Sequence, residues 1–283
     1  MPKVIRAAFG AVRHPRTIGV VSGKGGVGKT NIAVNLAVAL SMRNKPTVLM
    51  DADLGLANAD IVLGVRARGH LGELLSGQKT ISDIVIEGPE GVRLIPASSG
   101  VASMASLPQR DMGQIISAFA HLEGDVDTLI VDMSGGIAPD VVRFSKAVQH
   151  LIVVVCDEPS SITDAYALIK VLNQEHKVDR FHLVTNMCRS ESQGQGLYRK
   201  LLAATDQYLD LVLTHLGNVP LDEYLKAAVK QRTPVVTATP HSSSAKAIQR
   251  LASGIETLPR SQLPSGDVQF FLQQIVGHGR KYG

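Results

Sequence analysis

The sequence is poor in the residues that mark several classes of protein. It contains no tryptophan and only two cysteines, and aromatic residues make up 4% of its 283 residues. Cys156 and Cys188 lie far apart without the spacing of metal ligands, which argues against an iron–sulfur cluster and suits reduced thiols in the cytosol. No apolar run reaches the roughly 18 residues of a membrane-spanning helix, and the first residues lack the apolar core of a signal peptide. We therefore expect a cytoplasmic protein.

The chain also lacks a strong excess of either charge. Its formal net charge is only +4, a balance that does not indicate nucleic-acid binding, so direct binding to DNA is not expected. The exception is residues 1–16, which form a basic N-terminal arm without any acidic residue. The cations of this arm are Lys3, Arg6, Arg13 and Arg16.

Apolar, β-branched segments alternate with segments of helical spacing along the whole chain. With 45% apolar residues, a chain of this length can bury a full core. The alternation predicts an α/β fold of three layers, in which helices cover both faces of a mostly parallel, doubly wound sheet of about seven or eight strands. The predicted strands are 18–22, 47–51, 92–96, 128–132, 150–156, 180–186 and 212–219, and the predicted helices are 31–41, 108–121, 140–147, 160–175, 196–209 and 222–230.

Residues 23–30 read Gly-Lys-Gly-Gly-Val-Gly-Lys-Thr and match the phosphate-binding loop of P-loop NTPases. The loop joins a predicted strand to a predicted helix, so the N-terminus of that helix faces the bound anion. Lys29 is expected to reach the β- and γ-phosphates, and the Thr30 hydroxyl to contact Mg²⁺. The backbone groups that wrap the phosphates belong to Gly25, Gly26, Val27, Gly28, Lys29 and Thr30.

Acidic residues stand where two predicted strands end. Asp51 and Asp53 close the strand at 47–51, and Asp132 closes the strand at 128–132. Ligands of parallel sheets bind beyond the carboxyl ends of the strands, and phosphoryl transfer needs a carboxylate for the metal and a group that orients water. Asp132 fits the metal role. A strand-end aspartate that only caps a helix is the alternative.

Lys24 is a second lysine at the outer rim of a loop that already contains Lys29. It is better placed to reach a neighbouring molecule than its own nucleotide. The loop resembles that of the deviant Walker A ATPases, the family of MinD, ParA and the nitrogenase iron protein, in which this lysine contacts the phosphates of the opposite subunit. The resemblance implies a catalytic role for Lys24 in a homodimer that forms with ATP. A solvated surface lysine is the alternative.

The same resemblance assigns roles to further residues. It implies that Asp53 orients the attacking water and that Asp51 supports the metal shell or the switch loop. The segment after Asp132 departs from the family pattern Asp-[Ser/Thr]-x-Ala-Gly-[Ile/Leu]. Gly136 is retained and is expected to offer its N–H to the γ-phosphate, whereas Met133 brings no hydroxyl and Gly135 loosens the segment. We therefore expect slow ATP hydrolysis.

Adenine recognition is expected from the ends of later strands. By resemblance, Asn186 reads the edge of the base, Pro220 and Asp222 wall the base pocket, and Arg189 is a stacking candidate. An asparagine that only forms a turn at a strand end is the alternative.

One long segment resembles a particular branch of the family. Residues 156–170 read CDEPSSITDAYALIK and resemble the flagellar-number regulators of the FlhG/FleN type, as do the segments 51–58 and 186–190. The likeness covers about residues 17 to 276, with the ATPase domain predicted at 17–260. It implies control of flagellar number or placement through a flagellar transcriptional regulator or assembly protein. The N-terminal segment that engages the GTPase FlhF in flagellar relatives is missing, so FlhF is a doubtful partner.

The segment 261–283 contains an amphipathic stripe that follows Asp267, a predicted helix cap. Glutamines occupy the opposite side, and Arg280 and Lys281 follow, a pattern typical of a helix that lies on anionic lipid. We expect peripheral attachment to the inner face of the cell membrane, with a terminal helix docked on the core as the alternative. The predicted membrane contacts are Val268, Phe271, Leu272, Ile275 and Val276.

Together these patterns predict a Mg²⁺-dependent ATP hydrolase that binds ATP and ADP and dimerises with ATP. Two other functions are compatible with the motifs. A ParA-like DNA-segregation ATPase would share the core, although the near-neutral charge and the terminal stripe weigh against it. A scaffold that holds nucleotide with negligible turnover would account for Met133 and Gly135.

Overall fold

Eight strands form one sheet through the middle of the protein, in a computed structural model that describes residues 15–97, 109–122, 125–260 and Phe270. The strand order is β3-β4-β2-β5-β1-β6-β7-β8, and all neighbouring strands are parallel except β3 with β4. This confirms the predicted α/β class. The strands are β1 (Arg16–Ser22), β2 (Thr47–Ala52), β3 (Ile86–Glu87), β4 (Arg93–Ile95), β5 (Thr128–Gly135), β6 (His150–Cys156), β7 (Arg180–Cys188) and β8 (Val212–Pro220).

Helices cover both faces of the sheet because the strands are apolar on both sides. One face buries Ile32 and Ile248 with the even-numbered residues of β6, and the other buries Phe144 and Leu168 with the odd-numbered ones. The helices are α1 (Lys29–Ser41), α2 (Ala59–Leu63), α3 (Leu71–Leu75), α4 (Ile81–Ile84), α5 (Gln109–Ala118), α6 (Pro139–Ala147), α7 (Pro159–Gln174), α8 (Glu191–Tyr208), α9 (Glu223–Lys230), α10 (Val235–Ala238) and α11 (Ser243–Thr257).

Helix α8 begins five residues before the predicted start at 196. The Ser190 hydroxyl accepts a hydrogen bond from the Gln193 backbone N–H, which caps the first turn. Gly194 lies in this turn, where a Cβ would be 2.8 Å from Thr185 Oγ1 and 2.7 Å from Asn218 Oδ1. The glycine therefore lets the helix approach the sheet, although glycine lowers helix propensity and hides the start from the sequence.

Strand β1 begins at Arg16, within the segment predicted to be a basic arm. Its guanidinium donates hydrogen bonds to the backbone carbonyls of Glu256 and Leu258 at the end of α11, each at 3.1 Å. Only 3% of Arg16 is exposed. Its burial is compensated because the guanidinium bonds to carbonyls that the end of the helix leaves unpaired. Arg16 therefore belongs to the sheet, and residues 1–14 of the arm lie outside the described residues.

Phe270 packs on the face of the sheet that also buries Phe144 and Leu168. Its ring lies 4.8 Å from that of Phe119 in an edge-to-face contact and 6.3 Å from that of Phe144. Its backbone N–H donates to the carbonyl of Ala147 at 3.3 Å, and 2% of the residue is exposed. The C-terminal segment is therefore fastened to the core at this residue. The five predicted membrane contacts lie outside the described residues, and no described helix is long and apolar enough to cross a bilayer.

Replacement of Phe270 by alanine is expected to lower the free energy of unfolding by about 3 kcal/mol, because it removes an aromatic side chain from between two buried rings. Urea denaturation followed by circular dichroism measures the change. Phe271→Ala removes the same atoms from the predicted membrane stripe and is expected to change stability by less than about 0.5 kcal/mol. Equal losses in the two variants would contradict the assignment.

Candidate nucleotide-binding site

The phosphate-binding loop lies between β1 and α1, at the carboxyl edge of the sheet. Gly26 and Gly28 both adopt φ of 84°, a left-handed conformation that side chains disfavour. Gly23 packs so closely on α7 that a Cβ would collide with the backbone of Asp164 and Ala165. The loop therefore needs glycine at three places, and it presents its backbone at the N-terminus of α1 as an anion site does.

Lys29 forms a buried ion pair with Asp132 of β5, with Nζ and Oδ1 2.8 Å apart. Asp51 of β2 lies directly beside Asp132 in the sheet register, so a second buried carboxyl group adjoins the ion pair. Burial, and then the charge of Asp132, raise the pKa of Asp51 to about 7. Burial also raises the pKa of Asp132, although Lys29 opposes the shift. Lys29, Asp132 and Asp51 thus bring together two carboxyl groups and one ammonium group.

The residues present fit a Mg²⁺ ion. Asp132 Oδ2 is buried and has no hydrogen-bond partner among the described residues, while the Thr30 hydroxyl interacts with the same carboxyl group. Mg²⁺ prefers oxygen ligands, keeps several waters, and is held in NTPases by a hydroxyl, a carboxylate and phosphates. The free carboxylate oxygen and the charge deficit are what such an ion would satisfy.

Asp51 holds the loop that follows β2. Its Oδ1 accepts the N–H of Asp53, and its Oδ2 accepts those of Asn58 and Ala59, each at 3.0 Å. Because these bonds occupy the carboxylate, the structure favours the switch-loop role of Asp51 over direct support of the metal shell. Asp53 is half-buried in this loop, and its Oδ1 accepts the N–H of Leu56 at 3.2 Å.

Lys24 contacts its own chain in this structure. Its Nζ lies 2.6 Å from Glu158 Oε2 and 2.9 Å from the Ser160 hydroxyl, both beyond the carboxyl end of β6. The hydrogen bond to Glu158 raises the pKa of Lys24. Sequence reasoning did not select Glu158 or Ser160 as site residues, although both lie in the segment 156–170 that resembles the flagellar regulators. The ion pair is exposed, so water competes with it and its opening costs little.

The N–H of Gly136 already has a partner in this structure, and its contact with the γ-phosphate stays a prediction. It donates to the carbonyl of Ser22 at 2.9 Å, and Gly136 has φ of 90°. The cause is the continuation of the β1–β5 ladder to the pair Ser22 and Gly135. Contact with a γ-phosphate would require this bond to open.

The two departures from the family pattern have separate structural reasons. Met133 is fully buried in the core on the face of β5 opposite Lys29, and its sulfur accepts from the Ser145 hydroxyl at 3.7 Å. A hydroxyl at this place would not reach the phosphate loop. A Cβ on Gly135 would lie 3.0 Å from the Lys24 carbonyl carbon, so this glycine permits close approach rather than looseness. Neither residue therefore acts in the way expected from the sequence, and slow hydrolysis stays a prediction.

Asn186 connects the end of β7 to the phosphate loop. Its Nδ2 donates to the carbonyl of Val27 at 2.8 Å, and its Oδ1 is buried without a hydrogen-bond partner among the described residues. Because an unpaired buried acceptor is costly, this oxygen fits a ligand that brings an N–H donor, such as the amino group of adenine. Met187 follows with φ of 57°, and the pairing of β7 with β8 shifts register here, between Asn186 and Cys188.

The other predicted adenine residues differ in how they are engaged. Pro220 ends β8 opposite Cys188. The carboxylate of Asp222 accepts bonds from the Tyr224 and Ser244 N–H groups and from the Ser243 hydroxyl. Burial opposes its ionisation, but these hydrogen bonds outweigh it and lower the pKa of Asp222. These bonds connect the start of α9 to the start of α11, and the assignment of Asp222 to the wall of the base pocket stays a prediction. Arg189 is exposed.

Comparison with known proteins agrees with the fold and the loop. A family model described as ParA, NUBPL iron-transfer P-loop NTPase, matches residues 13–256. The chain is 41% identical to the antiactivator FleN of Pseudomonas aeruginosa, over 95% of this chain and 96% of that protein. It is 31% identical to the flagellum site-determining protein YlxH of Helicobacter pylori, over 93% and 90% of the two chains.

A solved structure supports the same assignment. The septum site-determining protein MinD of Pyrococcus horikoshii, in complex with Mg-ADP, matches with a TM-score of 0.69 and 25% identity, over 86% of this chain and 97% of that one. The phosphate loop, the strand order and these matches lead to one conclusion. The chain belongs to the ParA/MinD family of P-loop NTPases, within the branch that contains FleN and its flagellar homologues.

Proposed function

We propose that this protein is a MinD-like, Mg²⁺-dependent ATPase that dimerises with ATP and regulates the number or placement of flagella. The observation that carries the proposal is the buried Lys29–Asp132 pair with one unpaired carboxylate oxygen, set beside a glycine loop that bears Lys24 on its rim. The names of the relatives, an antiactivator and a flagellum site-determining protein, support the flagellar role.

Nucleotide binding follows from the residues at the carboxyl edge of the sheet. The N–H groups of 23–30 would receive the phosphates of ATP or ADP, and the Lys29 ammonium would turn from Asp132 towards the β- and γ-oxygens. The Thr30 hydroxyl and Asp132 would hold Mg²⁺, which neutralises charge on the phosphates. The free Oδ1 of Asn186 would accept the adenine amino group.

Hydrolysis is proposed to depend on the loop that Asp51 anchors. Asp53 lies in this loop, and its backbone N–H is held by the Asp51 carboxylate. The Asp53 carboxylate would orient the attacking water after it releases the Leu56 N–H. Gly136 would join the γ-phosphate after its bond to Ser22 opens, which makes this segment responsive to the presence of that phosphate.

Dimerisation with ATP is proposed to transfer Lys24 from Glu158 to the phosphates of the facing subunit. The exposed ion pair releases the lysine at low cost, and phosphates offer a larger negative charge. The two loops that flank the site expose apolar side chains, with 77% of Leu56 and 53% of Ile137 accessible. Such side chains fit a surface that becomes buried between two subunits.

Membrane attachment is proposed through the predicted stripe at 268–276. With 100° per residue in a helix, Phe270 would lie opposite the stripe, so a helix fastened through Phe270 could present the stripe to lipid. A single short helix binds a bilayer weakly, and a dimer carries two, so ATP would strengthen attachment through avidity. The partner at the membrane is proposed to be a flagellar transcriptional regulator or assembly protein.

Co-sedimentation with vesicles of phosphatidylglycerol and phosphatidylethanolamine tests this function. We expect the full chain to sediment with Mg-ATP and to stay in the supernatant with Mg-ADP. A chain that ends at residue 264 is expected to lose sedimentation, but it also loses Phe270 and its core contacts. The double variant Leu272→Glu/Ile275→Glu keeps Phe270 and is therefore the sharper control. Sedimentation that is equal with both nucleotides, or unchanged in the double variant, would contradict the proposal.

A further inference from the structure

Three cavities lie in line along α11, outside the phosphate loop. The first, of about 300 Å³, is lined by Tyr224, Pro240 and His241. The second, of about 370 Å³, shares His241 with the first and extends to Lys246 and Arg250. The third, of about 320 Å³, shares Lys246 and Arg250 with the second. The three cavities are therefore neighbours on the surface, and together they are here named the α11 groove, defined by Arg43, Tyr224, Pro240, His241, Lys246 and Arg250.

The length of the groove suits an extended segment of chain. Ser243, Lys246, Arg250 and Ser253 lie on one face of α11 and line the second and third cavities. At 1.5 Å per residue, this face spans about 15 Å, which matches about five residues of extended chain at 3.3 Å each. The first cavity adds room for one more large side chain.

The two ends of the groove differ in chemistry. At one end Tyr224 is 61% exposed beside Pro240, which gives an apolar surface. At the other end Lys246 and Arg250 are exposed, and the described part of the chain offers neither of them an ion pair. An occupant would therefore combine an apolar side chain with acidic ones.

We propose that the α11 groove binds an extended, acidic segment of a partner protein. Its carboxylates would pair with Lys246 and Arg250, and an apolar side chain would rest against Tyr224 and Pro240 in the first cavity. A bidentate pair with Arg250 would fix the register of the segment. None of the defining residues of this surface contacts the phosphate loop or the Lys29–Asp132 pair, and its middle cavity borders Pro220, a predicted wall of the adenine pocket.

The charges in the groove favour a peptide over a nucleic acid. Glu191 lines the second cavity, and Glu256 holds Arg43 in an ion pair of 2.7 Å at the third. These carboxylates would repel a continuous phosphate backbone, and two unpaired cations would neutralise only about two phosphates. A peptide can place neutral residues next to the carboxylates and acidic residues next to the cations.

Fluorescence anisotropy of the full chain with a labelled decapeptide tests the proposal. The probe contains four consecutive glutamates followed by leucine and phenylalanine, and a second peptide has glutamine in place of each glutamate. We expect the acidic probe to bind in low salt and to bind at least about tenfold less tightly to Lys246→Glu/Arg250→Glu. Tyr224→Ala is expected to weaken binding about threefold or more through the apolar end.

The matched control is Arg199→Glu/Lys200→Glu, which reverses two exposed cations on α8 and is expected to leave affinity unchanged. All these substitutions are at exposed positions, so circular dichroism is expected to show the same fold. No binding of the acidic probe, equal binding of the glutamine peptide, or equal losses in the two double variants would overturn the proposal. Tighter binding of a labelled 20-base-pair duplex, lost in Lys246→Glu/Arg250→Glu, would overturn it in favour of a nucleic acid.

Discussion

Lys29→Ala is expected to abolish nucleotide binding. The ammonium of Lys29 provides the positive charge inside the glycine loop, and charge-assisted hydrogen bonds to phosphate are among the strongest a side chain makes. We expect at least about a 100-fold loss of affinity for a fluorescent ATP analogue, measured by equilibrium titration with Mg²⁺. Retained affinity in a folded Lys29→Ala protein would contradict the proposed site.

Lys24→Ala is the matched control for this substitution. It removes the same side chain from the same loop, but Lys24 contacts Glu158 and Ser160 rather than the loop interior. The variant is therefore expected to bind nucleotide as a monomer and to fail to dimerise. The pair of variants separates the lysine that holds the nucleotide from the lysine that is proposed to cross the interface.

Lys29→Ala also has a pH-dependent effect on stability. Without the ammonium, two adjacent buried carboxyl groups remain, and burial already raises the pKa of Asp51 to about 7 and the pKa of Asp132 above its ordinary value. A carboxyl group with a raised pKa in the folded state holds its proton there and loses it in the unfolded chain, so stability falls as pH rises from about 4 through 7. The free energy of unfolding of Lys29→Ala, measured in urea, is expected to be larger at pH 5 than at pH 7.5. This difference between the two pH values is expected to be larger in the variant than in the unsubstituted protein.

Asp53→Ala is expected to trap a dimer with ATP. The substitution removes the carboxylate proposed to orient water but leaves the phosphate loop, Lys29 and Asp132 in place. Turnover is expected to fall at least about 100-fold, which is the usual contribution of such a group. Size-exclusion chromatography with light scattering is expected to show a lasting dimer with Mg-ATP and a monomer with Mg-ADP. A monomer with Mg-ATP would contradict the switch.

Asp53→Asn distinguishes the chemistry of Asp53 from its structural role. The Asp53 side chain also accepts the Leu56 N–H, and the asparagine oxygen can keep that bond while lacking the negative charge. We expect Asp53→Asn to be trapped like Asp53→Ala. Normal turnover in Asp53→Asn would show that the loop conformation, and not the carboxylate, is what hydrolysis requires.

Much of the fold could be predicted because its signals are local. Apolar β-branched runs such as 150–156 became strands with the predicted bounds, and Pro159–Gln174 begins one residue before the predicted helix. The hairpin of β3 with β4 was not predicted, because β3 has two residues and carries no periodicity. Helix α11 was also missed: its start, Ser-Ser-Ser-Ala, has weak helix propensity and depends on the Ser242 cap.

The candidate site likewise contains residues that the sequence places together and contacts that only the structure shows. The residues of the loop at 23–30 are contiguous, so the motif alone placed Lys29 and Thr30 together. The partner of Lys24 is 134 residues away in the chain, and no pattern in the sequence indicates that Glu158 lies beside it. The bond from the Gly136 N–H to Ser22 was not predicted, because sequence carries no information on which carbonyl a strand end will reach.

The order of residues by itself determined the α/β class, the phosphate loop and the acidic strand ends, since backbone geometry and hydrophobic periodicity act over a few neighbouring residues. Only the tertiary structure decided that Asp51 lies beside Asp132, that Phe270 packs between Phe119 and Phe144, and that three cavities with shared lining residues lie near α11. These features depend on which distant segments pack together, and that is settled by shape, burial and charge across the whole core.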